Sequence, residues 1–464
     1  MTATRIEHDA FGPVEIPAGR YWGAQTQRAA GVFDIGTERF PVCLLHAFGL
    51  QKIAAARANA RCGALDEALA EKIIAAAEEL SCGLFDDHFP LTIWQTGSGT
   101  QTNMNANEVI ANRANELLGR ALGTKSPVHP NDHVNASQSS NDSFPTVMHI
   151  AAAMELTGRL IPSLVVLKDA LAERASAFAD AAKVARTHLM DAVPMTMGQA
   201  FEAFAWQVGN GIARLQDALP RLLVVAQGGT AAGTGLNAPQ DFDVLFCEEI
   251  DKLTGLQFKP HPCKFEGMSG HDALVELSGA LNVIATSLMK IANDIRWMGS
   301  GPRCGIGELV VPDDGLTSSI MPGKRNPTIA EVVAQAAMQV VGNHVTATMA
   351  GASGNFELNV AKPVLIHSVL QSMRVLADSS RVFANKLVAG LDIDRERLAS
   401  NLGNALLSVT ALNPVLGYDK VARITRTAVE RRIAPREAAI ELGYLSAEAY
   451  DRLVDPLRMA RGKI

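Results

Sequence analysis

The sequence predicts an all-α protein built around a central bundle of long helices. Three observations support this fold class. Apolar residues recur at alternating spacings of three and four from Leu274 to Met298, which is the stripe of one long amphipathic helix. No run of alternating strand character is evident. Similar helical patterns occupy four further stretches, at residues 145–182, 197–226, 329–350 and 363–389.

The patterns divide the chain into three expected domains. Residues 1–138 mix helices with loops, residues 139–395 form the long-helix bundle, and residues 396–464 form a small C-terminal domain of shorter helices. The bundle helices carry apolar and small residues on more than one face. We therefore expect them to pack against copies of the same chain in an obligate oligomer.

Composition narrows the class of protein. The chain has 464 residues, 48% of them hydrophobic, and a net charge of 42 − 48 = −6, so neither a nucleic acid nor an acidic membrane is indicated as a partner. The most apolar long stretch, 331–350, is interrupted by polar residues and is expected to be a buried helix. Six dispersed cysteines and the absence of a signal-like N-terminus favour free thiols in the cytoplasm.

One loop gathers hydrogen-bonding groups among residues that break regular structure. Residues 317–327 read Thr-Ser-Ser-Ile-Met-Pro-Gly-Lys-Arg-Asn-Pro, and the two prolines and the glycine prevent a helix or strand. Hydroxyls, an amide and a cation presented in this way suit an anion. The alternative interpretation is an ordinary surface turn with a solvated lysine.

Three other polar segments lie near expected helix starts. Residues 95–103 precede a helix expected over 108–118, and residues 138–142 precede one expected from Pro145. Each could bind an oxyanion or simply cap its helix. Residues 186–191 are expected to end one helical stretch before the next begins near Met197. Their His188 is either an acid–base group or a structural histidine, and Glu331 could orient it across space.

Two further patterns leave an alternative open. His129 and His133 flank Asp132 at a spacing that could bind a metal, but Pro130 disfavours a regular helix there and no other ligand run lies nearby. The glycine-rich residues 228–235 lack the context of a phosphate loop, so nucleotide binding is disfavoured. Mostly neutral donors with Lys324 as the main cation suit a small carboxylate better than a polyphosphate.

Several of these segments resemble a known family. Residues 317–327 are similar to the shared loop of the fumarase, aspartase and argininosuccinate lyase superfamily, which usually begins Gly-Ser-Ser-x-Met-Pro, with Thr317 here in place of the glycine. The resemblance to class II fumarases runs nearly end to end, through residues 21–28, 93–100 and 351–359. It implies the three-domain fumarase/aspartase fold, a tetrameric helical core and reversible hydration of fumarate to L-malate through a carbanion-like intermediate.

The resemblance also implies roles for individual residues, in sites built by three subunits without a metal or organic cofactor. Ser318 would remove the carbon-bound proton, and His188, paired with Glu331, would handle the proton of the departing water. The two substrate carboxylates and the developing charge would be held by Ser98, Gly99, Thr100, Ser139, Ser140, Asn141, Thr187, Ser319, Lys324, Arg325 and Asn326.

The sequence departs from the usual family pattern at two positions, and two alternatives to a fumarase stay open. An accessory dicarboxylate site would use His129, Pro130, Asn131 and Asp132, but Ser126 stands where some members have a basic residue. Thr317 could slow closure of its loop by removing a glycine's freedom. The nearest rival activity is that of an aspartate ammonia-lyase, which generally carries Gln at the position of His188; a non-enzymatic helical scaffold is the other alternative.

Overall fold

The computed structural model describes residues 3–316 and 318–462. Helices dominate these residues, as the sequence predicts. In chain order the helices are α1 Ala24–Val32, α2 Val42–Arg61, α3 Glu67–Ser81, α4 Thr100–Leu117, α5 Ser140–Glu155, α6 Ile161–Ala177, α7 Met197–Leu222, α8 Phe242–Thr254, α9 Lys264–Ser269, α10 Asp272–Met298, α11 Thr328–Gly351, α12 Lys362–Val382, α13 Arg395–Asn404, α14 Asn413–Leu416, α15 Tyr418–Arg431, α16 Pro435–Glu441, α17 Ala447–Leu453 and α18 Pro456–Ala460.

The strands are short and pair two at a time. Four pairs are antiparallel, and only the pair of β5 with β6 is parallel among the described residues. The pairs are β1 Thr4–Asp9 with β2 Gly12–Pro17, β3 Ala182–Thr187 with β4 Met190–Thr196, β5 Val224–Val225 with β6 Lys259–Pro260, β7 Leu309–Val310 with β10 Asp392–Ile393, and β8 Gly354–Asn355 with β9 Leu358–Asn359.

The long helices follow from sustained apolar periodicity. Every residue of the predicted stripe on α10, from Leu274 to Met298, is at most 8% exposed, so this face lies in the core. By length and composition α10 and the continuous helical stretch Ser140–Ala177 could also cross a membrane. Their buried faces are those expected of core helices in a helical bundle.

Three expected boundaries are wrong. Helix α4 begins at Thr100 and not near residue 108, because Gly99 at φ 77° ends the preceding turn there. Helix α5 begins at Ser140, ahead of Pro145, so Pro145 lies inside the helix, where its nitrogen has no hydrogen to donate to the carbonyl four residues earlier. The helix expected over 145–182 ends at Ala177 and contains a π-helical turn at Leu156–Leu160.

The segment around His188 is a β-hairpin, and the expectation of a helix end was wrong. Strands β3 and β4 pair from Ala182 with Thr196 to Thr187 with Met190. The two-residue turn is His188–Leu189, both at positive φ (56° and 61°), as a tight hairpin turn requires. The usual Asn-Gly signal is absent, and this is why the sequence pattern does not reveal the turn.

The described chain divides into two compact units, each assembled from three stretches of sequence. One contains residues up to 162, 213–285 and 338–377; the other contains residues 163–212, 286–337 and 378 onwards. Within the second unit, residues 409–450 include a hydrophobic cluster of their own around Leu412, Ile424 and Tyr450. The three domains expected from the sequence stay a prediction.

Candidate active site

Two helix starts bring together the hydroxyls of three predicted site residues. Ser98 Oγ lies 2.8 Å from Thr100 Oγ1, and Thr100 Oγ1 lies 2.7 Å from Ser140 Oγ. Thr100 is the first residue of α4 and Ser140 the first of α5. Helix N-termini carry partial positive charge and free N–H groups, so this hydroxyl cluster of Ser98, Thr100 and Ser140 is suited to a carboxylate.

Close backbone packing fixes the turn that presents Ser98. A Cβ on Gly97 would lie 1.3 Å from the carbonyl oxygen of Val360, and one on Gly99 would lie 2.2 Å from the ring of Phe144. The carbonyl of Gly97 also accepts a hydrogen bond from the main-chain N–H of Lys362, at 3.0 Å. Only glycine fits at these two positions, so the Gln95–Asn103 segment is rigidly seated.

The start of α5 is held by a buried carboxylate. Ser139 and Asp142 form a reciprocal capping box, and Asp142 Oδ2 accepts the N–H groups of Gly228 and Thr230, each at 2.9 Å. Asn141 Nδ2 donates to the carbonyl of Ala231 at 2.8 Å. The glycine-rich segment therefore binds a carboxylate of its own chain, which fits the interpretation that it is not a nucleotide loop.

A buried lysine ties these elements together. Lys52 on α2 is 0% exposed, and its Nζ donates to the side-chain oxygens of Asn103, Asn135 and Gln138 at 2.9, 3.1 and 2.9 Å. Burial lowers the pKa of Lys52 to about 7, an effect that the nearby Asp142 carboxylate opposes. These bonds connect α2 to α4 and to the turn that leads into α5.

The His188 hairpin presents its side chains to solvent. Thr187, His188 and Leu189 are exposed at the tip. Behind the tip, Arg186 makes a two-pronged bond to Glu308, with Nη1–Oε2 at 2.9 Å and Nη2–Oε1 at 2.7 Å. Glu308 is fully buried, and its Oε1 also accepts the amide of Asn401 at 2.9 Å. This ion pair fixes β3 at the residue that precedes Thr187.

The 318–327 loop is exposed. Ser318 Oγ accepts the main-chain N–H of Met321 at 3.2 Å, and Gly323 has a φ of 79° that permits the tight turn. Lys324 is exposed, and Arg325 lies 3.1 Å from Asp313 as a surface ion pair. Ser319 is exposed and Asn326 half-buried. The unusual Thr317 lies outside the described residues.

Glu331 lies in the first turn of α11, and its nearest cation is Arg296, at 3.8 Å. Among the described residues of this chain, no hydrogen bond or ion pair joins it to His188. A single chain thus assembles the hydroxyl cluster but not the predicted pair of His188 and Glu331. The pairing of His188 with Glu331 stays a prediction.

The residues of the expected accessory site form one turn. Pro130 begins a π-helical turn, and His129 Nδ1 accepts the N–H groups of Asn131 and Asp132 at 3.3 and 3.2 Å. The Asp132 carboxylate oxygen Oδ2 also lies 3.2 Å from His129 Nδ1, so this ring nitrogen is engaged within the turn. Asn131 and Asp132 are exposed beside it.

Sequence reasoning missed four charged or buried polar groups of these sites, namely Lys52, Glu308, Asn401 and Lys362. Each stands alone inside a regular element or a short loop with no neighbouring motif to single it out. Asp142 lies in the polar segment 138–142, but the sequence does not reveal its role as a buried anchor. Pairings distant in sequence, such as Lys52 with Gln138, become visible only in the folded chain.

Comparisons with known proteins agree with this geometry. Family models described as lyase and as fumarase C C-terminus match residues 12–342 and 409–461. A fumarate hydratase class II from Bradyrhizobium diazoefficiens is 52% identical over 99% of this chain and 97% of its own length. The mitochondrial fumarate hydratase of Rattus norvegicus is 53% identical, over 98% of this chain and 90% of its own.

Solved structures extend the likeness to three dimensions. The crystal structure of a class II fumarase from Schistosoma mansoni superposes with a TM-score of 0.96 at 40% identity and covers all of both chains. This agreement confirms the predicted all-α fumarase/aspartase fold. The chain belongs to the class II fumarate hydratase family.

Proposed function

We propose that this protein is a fumarate hydratase that catalyses the reversible anti addition of water to fumarate to give L-malate. The observation that carries the proposal is the hydroxyl cluster of Ser98, Thr100 and Ser140 at two helix N-termini, in a chain about half identical to fumarate hydratases over its whole length. The cluster suits a small dicarboxylate.

The proposed chemistry begins with the proton on the carbon beside a malate carboxylate. Ser318 removes it, and the negative charge that develops is stabilised by Lys324 and Asn326 from the same loop. A serine hydroxyl is a weak base in water. The proposal therefore includes a lowered Ser318 pKa, caused by neighbouring N–H groups and by Lys324 when the loop encloses the substrate.

The leaving hydroxide is protonated on the opposite face. His188 supplies this proton, Thr187 contacts the substrate beside it, and Glu331 orients and charges the imidazole. The remaining binding residues, Gly99, Ser139, Asn141, Ser319 and Arg325, hold or frame the two carboxylates. We propose that His129, Pro130, Asn131 and Asp132 bind a second dicarboxylate weakly, since Ser126 stands where some family members have a basic residue.

The catalytic sites are proposed to form between three subunits of a homotetramer. In the described part of one chain, His188 is exposed and Glu331 is paired with Arg296 rather than with His188, and this supports the arrangement. We further propose that the enzyme acts in the cytoplasm and needs no metal or organic cofactor. Its six cysteines, all in the described part of the chain, are free thiols, which fits a reducing compartment.

The test compares two substrates of the purified protein. L-malate should give fumarate, measured by ultraviolet absorbance, whereas L-aspartate should give none, because His188 suits water rather than ammonia. Replacement His188→Asn should leave the assembly intact and lower kcat by at least about 10²-fold, the lower range for a general acid–base group. Fumarate formed from aspartate and not from malate would disprove the proposal.

A further inference from the structure

Lys362 is a buried cation without a hydrogen-bond partner. It is the first residue of α12 and is 0% exposed, yet its Nζ contacts no acceptor within hydrogen-bonding distance among the described residues. Burying an ammonium group is costly unless it is paired. A fold that retains an unpaired one indicates a use for its charge, since such departures concentrate at functional sites.

Lys52 provides a contrast within the same unit. Both lysines are 0% exposed, and burial lowers the pKa of each to about 7. The ammonium of Lys52 donates to three amide oxygens, which is the pattern of a structural residue. The ammonium of Lys362 has no equivalent set of acceptors.

The main chain of Lys362 is bonded to the turn that presents the hydroxyl cluster. Its main-chain N–H donates to the carbonyl of Gly97, the residue before Ser98. The carboxylate whose charge acts on it is Asp142, two residues after Ser140. Asp142 is already engaged by the N–H groups of Gly228 and Thr230, so it does not bind the ammonium of Lys362 directly.

The other groups facing Lys362 leave its charge uncompensated. His271 is 3% exposed, and neither ring nitrogen has a hydrogen-bond partner within the described part of the chain. Burial first, and then the charges of Lys362 and His149, hold the pKa of His271 well below its usual value, so its ring is neutral. Two lysines, Lys52 and Lys362, thus face a single carboxylate, Asp142. When both lysines are protonated, this leaves one excess positive charge behind the hydroxyls.

We infer that Lys362 is a positioning residue for the substrate: its ammonium attracts the carboxylate bound by Ser98, Thr100 and Ser140. The charge acts across these hydroxyls, because Nζ itself is enclosed. This inference rests on the proposed function, since it assumes a dicarboxylate in that site. An interaction between opposite charges in a partly desolvated region is strong enough to change affinity about tenfold or more.

The inference has a pH signature. With a pKa of about 7 in the free protein, Lys362 is partly deprotonated at neutral pH. A bound dianion favours the charged form, so binding takes up a proton. Affinity should therefore be high below pH 7 and decline as the pH rises towards 9. Removal of Lys362 should make this decline shallower, and the part that remains is that of Lys52, whose pKa is also about 7.

The experiment measures succinate, a dicarboxylate that cannot react, by calorimetry, and malate turnover by fumarate absorbance. Lys362→Met should weaken succinate binding and raise the KM for malate about tenfold, with kcat changed by less than about twofold, because substrate and transition state both carry the carboxylate. Thermal stability should be unchanged or higher. The matched variant Lys52→Met should instead lower the melting temperature, because it leaves three amide oxygens unpaired.

The outcomes separate this inference from the proposed function. Unchanged succinate affinity in Lys362→Met overturns the inference, as does a loss of stability like that of Lys52→Met, which would show a structural role. Failure of the wild-type protein to convert malate would reject the proposed function instead. The succinate comparison between wild type and Lys362→Met remains decisive for Lys362 in that case.

Discussion

Glu308 controls the segment that leads to His188. Its carboxylate is fully buried and accepts both prongs of Arg186, while Lys183 Nζ lies 3.8 Å away. Arg186 is two residues from His188, so the ion pair with Glu308 anchors β3 close to the hairpin turn. A positioned acid–base group needs such support, because a displacement of about 1 Å can cost 10²-fold in rate.

Replacement Glu308→Gln should therefore lower both stability and turnover. Loss of one partner of a buried pair costs about 3 kcal/mol in free energy of unfolding, and a looser hairpin should lower kcat for malate at least about tenfold. Chemical denaturation and fumarate absorbance measure the two effects. Glu276→Gln is the control: its pair with Arg221 is also two-pronged but exposed, so it should cost less than about 1 kcal/mol. Equal effects of the two replacements would contradict this account.

Sequence patterns give little information about which charged residues are buried. Lys52 and Glu308 look like surface residues in a one-dimensional pattern, because a charge usually marks a solvated face. Their partners lie 51 residues away, in Asn103, and 122 residues away, in Arg186. By contrast the segments that contain Ser98, Thr100 and Ser140 could be singled out, since small hydroxyl residues clustered near an expected helix start have a local signature; the role of these residues in binding stays a prediction.

At the level of elements, long periodic helices were predicted well and short strands were not. The stripe of α10 repeats over many turns, so its eight apolar positions reinforce one another. The hairpin of β3 and β4 has strands of six and seven residues, with Lys183 and Arg186 turned towards Glu308. Charged side chains on the inner side of the hairpin interrupt the alternation of apolar and polar residues that identifies a strand.

The 318–327 loop should become protected when substrate binds. Lys324 and Arg325 are exposed, so trypsin should cut after them in the absence of substrate. Saturating succinate should slow this cleavage several-fold, because Lys324 and its neighbours would then enclose the ligand. Peptide mass spectrometry follows the cut, with cleavage near Arg431 on α15, far along the sequence, as the internal control. Identical rates with and without succinate would show that the loop takes no part in binding.

At the scale of the whole molecule, the long helix α11 exposes several large apolar side chains. On α11, Met338, Val345 and Met349 are 60, 61 and 65% exposed, while Val333, Val340 and other residues on the same helix are buried. A helix that is apolar on both sides is typical of one buried in a larger assembly. This pattern supports the proposed tetramer, in which long helices of several chains pack together.

If each active site is shared between subunits, two inactive variants should regain activity when their subunits are mixed. Ser318→Ala and His188→Asn should each be inactive for a different reason. If the two residues of one site come from different chains, random mixing of equal amounts leaves about one site in four with both wild-type groups, after subunit exchange through mild denaturation. Malate turnover should then approach about a quarter of the wild-type value. If both residues came from the same chain, every site would contain a defect and mixing would restore nothing.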